Sequence, residues 1–63
     1  GIQKGSVVRV IRSPNFGKIG TVISLPAELQ KMESETMVRV AEIKIDDKNF
    51  LIPRANLEMV ELQ

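Results

Sequence analysis

The sequence predicts an all-β domain, a small five-stranded barrel, on three observations. Apolar, largely β-branched residues alternate with polar ones in short runs, Val8-Arg9-Val10 and Ile43-Lys44-Ile45 among them. Turn chemistry separates the runs at Ser13-Pro14-Asn15-Phe16-Gly17, Pro26, Asp46-Asp47-Lys48-Asn49 and Pro53-Arg54-Ala55-Asn56. No stretch carries a helical period long enough to stand as a free helix.

The first strand is expected near residues 7–12, with Val8 and Val10 on one face and Arg9 on the other. In the following turn Pro14 restricts φ, while Asn15 and Gly17 tolerate a positive value. A return strand is expected near residues 20–25 with Val22 inward, and Pro26 stops the pairing because it cannot donate to a ladder. Residues 26–36 have helix propensity around Ala27-Glu28-Leu29-Gln30, but too little length, so an irregular or single-turn excursion is expected there. Residues 37–45 form the longest strand candidate, and its apolar phase slips by one residue near Ala41, which reads as a bulge or sharp bend. A polar loop then returns the chain to residues 49–52, with Asn49 in the left-handed position that glycine usually fills. A 3₁₀-like turn at Pro53-Arg54-Ala55-Asn56 leads to a closing strand near residues 57–62. Val8, Val10, Val22, Val38, Val40 and Leu57 are the expected core, with Phe50 packed among them.

A chain of 63 residues makes one domain near the lower limit for unaided folding. It has no Cys and no His, which removes disulfides, thiolate metal sites and the commonest general base. The absence of Cys fits a reducing compartment, and a cytoplasmic location is expected. No apolar run approaches the roughly 20 residues a bilayer demands, so no membrane partner is expected. A chain opening on Gly1 without Met reads as a domain excised from a larger protein or freed from a tag. The net charge is only +1, but it is unevenly placed. Residues 1–24 hold Lys4, Arg9, Arg12 and Lys18 and no acid, whereas the remainder holds five bases and eight acids. Such asymmetry marks either a basic binding edge or a merely well-solvated hairpin.

The run Gly5, Val8, Val10, Ile11, Pro14, Gly17, Lys18, Gly20, Val22 resembles the KOW motif of ribosomal proteins and NusG-like transcription elongation factors. The likeness covers about the first third of the chain. The later Pro53-Arg54-Ala55-Asn56-Leu57-Glu58 is similar to the closing turn and strand of SH3-like barrels. The resemblance implies an SH3-like barrel, associated with translation or transcription, whose first hairpin contacts RNA or a protein partner. Ser13 stands where a glycine is common in the motif and Ser6 where an aspartate is common; Ser13 is expected to tighten the loop differently and change how its backbone meets a phosphate.

On these grounds the candidate nucleic-acid-binding residues are Arg9, Arg12, Asn15, Phe16, Lys18, Arg39 and Arg54. Arg9, Arg12 and Lys18 would neutralise phosphates, against the plainer role of a solvated face in which Arg9 packs on a cross-strand Thr or Glu. Arg39 and Arg54 extend the patch or pair with acids near them in sequence. Asn15 offers hydrogen bonds at the loop tip. Phe16 either stacks on an unpaired base, worth about 1–3 kcal/mol, or folds back to plug the barrel. Gly17 and Gly20 serve backbone geometry before any phosphate cradle. Asp46 and Asp47 are turn residues without the further oxygen ligands a metal needs, and Met32, Met37 and Met59 fill gaps.

With two Phe and neither Trp nor Tyr, an aromatic cage for methyl-lysine or a groove for Pro-rich peptides is poorly provided. No nucleophile stands with a base, so no enzymatic activity, cofactor, metal or small-molecule substrate is expected. The sequence therefore reads as a binding module for RNA or ribonucleoprotein. The alternative is a protein-docking or domain-packing module that uses an exposed strand edge.

Overall fold

The computed structural model describes residues 1–33 and 36–61. Seven strands and one 3₁₀ turn (Arg54–Asn56) occur among them: β1 (Val7–Val10), β2 (Ile19–Ser24), β3 (Gln30–Lys31), β4 (Met37–Val38), β5 (Val40–Ile45), β6 (Lys48–Pro53) and β7 (Leu57–Met59). Five of them form one antiparallel sheet in the order β6-β5-β2-β1-β7, and β3 pairs with β4 in a separate ribbon. The domain is all-β.

The expected barrel does not close, because β6 and β7 end the sheet without a ladder between them. The sheet nevertheless curls. Laid flat, its two end strands would stand about 19 Å apart at the usual spacing of ~4.8 Å. The turn that joins them has only the residues Arg54–Asn56, and three 3₁₀ residues rise about 6 Å. Backbone bonds tie this turn to both sides: the Ile11 N–H donates to the Asn56 carbonyl at 2.8 Å, and the Arg54 N–H to the Arg39 carbonyl at 2.9 Å. Pro53 ends β6 on the outer edge, where a missing N–H costs no ladder bond.

The inner face buries Val8, Val10, Val22, Val40, Ala41, Ile43, Ile45, Ile52 and Leu57. Val38 departs from the expected core. It is only half-buried, because β4 leaves the main sheet and sets Val38 opposite Gln30 of β3. The long strand expected over residues 37–45 is thus broken at Arg39, two residues before the anticipated slip at Ala41. The slip itself is present, since Val40 and Ala41 are consecutive and both buried. A register shift also lies on the facing strand, between Val22 and Ser24. Phe50 is half-buried and packs against the core from its edge.

The second hairpin corrects the expectation for Asn49. Ile45 pairs with Lys48, so the turn is the two residues Asp46 and Asp47, and Asn49 lies within β6 opposite Lys44. Asp46, at φ 55°, takes the left-handed conformation instead. A two-residue hairpin demands positive φ at its first position, and the short polar side chain of Asp tolerates it. The closing strand is also shorter than expected, although the Val60 N–H still bonds to the Val7 carbonyl at 2.9 Å. Leu62, the end of the expected strand, and Ser34 and Glu35 of the expected excursion lie outside the described residues.

Candidate nucleic-acid interface

The β1–β2 loop is held by three backbone bonds that together aim its tip outward. The Val10 N–H donates to the Lys18 carbonyl and the Gly17 N–H to the Val10 carbonyl, both at 2.8 Å. Gly17 and Lys18 therefore share one partner on β1, the bulge geometry that calls for a left-handed first residue. Gly17 supplies it, with φ 84°. The Lys18 N–H also donates to the Asn15 carbonyl at 3.0 Å, closing a turn in which Gly17 takes the positive-φ third position. Phe16 is left at the second position, the outermost point of the turn, and is 71% exposed. It does not plug the sheet.

The candidate cations separate into two groups. Arg12 and Lys18 flank the tip and are exposed, and their side chains have no hydrogen-bond or ion-pair partner among the described residues. Arg9 lies on the outer face of β1, where its Nη1 is 2.6 Å from Glu58 Oε1 on the paired strand β7, with both side chains about half exposed. Arg39 donates from Nη1 to the Ala27 carbonyl. Arg54 donates from Nε to the Val40 carbonyl at 2.8 Å and from Nη2 to the Pro26 carbonyl at 2.9 Å. Neither pairs with an acid among the described residues. Both fasten the strap of residues 26–27, Arg54 with two of its nitrogens and Arg39 with one.

Two open clefts border the loop. One, of about 390 Å³, runs between the loop and β6, with Arg12 and Pro14 on one side and Ile52 and Pro53 on the other; Met32 and Glu33 reach it from the ribbon. The second, of about 410 Å³, lies between Lys18 and the β5–β6 turn, where Asp46, Asp47 and Lys48 gather. Asn15 and Phe50 line both. The sequence reading placed Phe50 in the core and passed over Lys48. The two-residue span of Asp46 and Asp47 was the signal that could have brought Lys48 beside Ile45 and the loop.

No group of three or more His, Cys, Asp or Glu side chains is placed to hold a metal among the described residues. No helix among them is long and apolar enough to cross a membrane. No family model, curated protein or solved structure matches the chain.

Proposed function

We propose that the domain is a non-catalytic, KOW-type module that binds RNA or ribonucleoprotein through the β1–β2 hairpin. The observation that carries this reading is an exposed aromatic, Phe16, held at a hydrogen-bonded turn between two cations, Arg12 and Lys18, whose side chains have no partner among the described residues. A protein that only needed solubility gains nothing from an apolar ring in that place. Phosphates meet Arg12 and Lys18, the Asn15 side chain donates or accepts at the tip, and Phe16 stacks on a base. Association with translation or transcription and a cytoplasmic location belong to the same proposal.

The test is the double variant Arg12→Glu, Lys18→Glu. Both side chains are exposed and unpaired among the described residues, so its melting temperature should match that of the parent chain, while RNA binding in a fluorescence titration disappears. Full affinity in the double variant removes the reading.

A second reading, protein docking, is favoured by the outer edge of β6, which pairs with no strand among the described residues. The Arg54-to-Arg39 bond fixes the alternation of the β5–β6 ladder, so the backbone N–H and C=O groups of Asn49 and Leu51 point away from β5. Leu51 is also 48% exposed. Such an edge accepts an added strand. If docking is the function, the double-Glu variant leaves partner capture intact and Leu51→Lys abolishes it.

A further inference from the structure

We infer that the two clefts beside the β1–β2 loop each receive an unpaired, amino-bearing nucleobase, so that the ligand is single-stranded RNA rather than duplex. The inference rests on the RNA reading above and goes beyond it in naming the ligand class and the base preference.

The clefts are not independent. Asn15 and Phe50 line both, so together they form the divide, with Phe16 projecting from the same loop. Each cleft combines a cation with an apolar wall and a carboxylate: Arg12 with Glu33 in one, Lys18 and Lys48 with Asp46 and Asp47 in the other. A phosphate drawn into either would meet negative charge. A base would not. Carboxylates accept hydrogen bonds from the exocyclic amino groups of cytosine, adenine and guanine, whereas uracil has no amino group and offers only its single N3–H. The charges thus sort the ligand, with phosphates on the exposed cations of the loop and bases in the clefts on either side.

At about 390 and 410 Å³ both clefts fall within the ordinary size of small-ligand sites and admit a flat ring. A duplex cannot supply one, because its bases are stacked inside and the A-form major groove is too deep and narrow for side chains to read. A single strand crossing the loop can turn one base to each side and leave a third over Phe16.

The experiment compares fluorescently labelled oligo(C), oligo(U) and a blunt RNA duplex against the parent chain and against Asp46→Asn, Asp47→Asn. Asn also tolerates positive φ, so the turn survives in the variant, and its melting curve checks this. Oligo(C) should bind at least about fivefold tighter than oligo(U), one good polar base contact being sufficient. The duplex should bind more weakly than oligo(C), and the double-Asn variant should bring the oligo(C) to oligo(U) ratio towards one. A duplex bound as tightly as a strand, or a ratio that the Asp variant does not move, overturns the inference and leaves phosphate binding by the loop standing. Failure of every RNA to bind overturns both and leaves the clefts to another occupant.

Discussion

Gly20 is the glycine with the least room for a side chain. It sits in β2 opposite Val8, and a Cβ there would lie 2.5 Å from the Lys44 carbonyl oxygen, 2.6 Å from Ile43 Cγ2 and 2.9 Å from Ile45 Cγ1. The carbonyl belongs to the β5 backbone, so it can yield only by moving a strand. Gly20→Ala should therefore cost roughly 1–3 kcal/mol, seen as a lower urea midpoint. An unchanged midpoint would show that β2 and β5 lie further apart than described. Asp46 offers the opposite case. At φ 55° it carries a Cβ in a conformation that glycine adopts without penalty. Asp46→Gly should be neutral or stabilise by up to about 1 kcal/mol. Asn49→Gly should destabilise, because Asn49 occupies a strand and its Nδ2 donates to Glu42 Oε2 at 3.3 Å. The reverse order of these two variants would return the left-handed residue to Asn49.

Among the elements, the strap of residues 26–27 depends on side chains rather than on a ladder. Arg54 reaches from the 3₁₀ turn to carbonyls on β5 and on Pro26, and Arg39 reaches back to Ala27. Lysine has one nitrogen where Arg54 uses two, so Arg54→Lys should cost about 1–3 kcal/mol while leaving the RNA affinity of the folded protein unchanged. A loss of affinity at full folding would instead make Arg54 a ligand contact. Period-two alternation made the strands of the main sheet legible, because inward valines and isoleucines are set by the pleat alone. The exit of β4 to the ribbon was not legible. Val38-Arg39-Val40 alternates smoothly, and only a distant partner, Gln30, decides that Val38 leaves the core. The fates of the arginines were hidden for the same reason, since the carbonyls they bind are 12 to 28 residues away in sequence. At the loop, by contrast, Gly17 announced the positive φ that throws Phe16 outward.

Over the whole molecule, the cations of residues 1–24 are not equal, because among the described residues only Arg9 is brought into a contact ion pair with an acid of the remainder. Glu58 lies 49 residues from Arg9 and neutralises it across β1 and β7. The free field of the hairpin therefore comes from Arg12 and Lys18, with Lys4 near the stem. If two phosphate contacts carry single-strand binding, log K against log salt should slope at about −1.4, from about −0.7 per contact. Releasing Arg9 should add a third contact. Glu58→Gln keeps the side-chain volume and removes the charge, so the slope should steepen to about −2.1 and the affinity at low salt should rise. The stability cost should stay below about 1 kcal/mol, because both partners of the pair are roughly half exposed and water screens them. The two readouts separate the roles of the pair. A steeper slope with little change in melting makes Glu58 a brake on the interface. An unchanged slope shows that nucleic acid does not reach the outer face of β1. A slope near zero in both proteins would mean that the hairpin does not bind phosphate at all, and the free edge of β6 would then become the working surface.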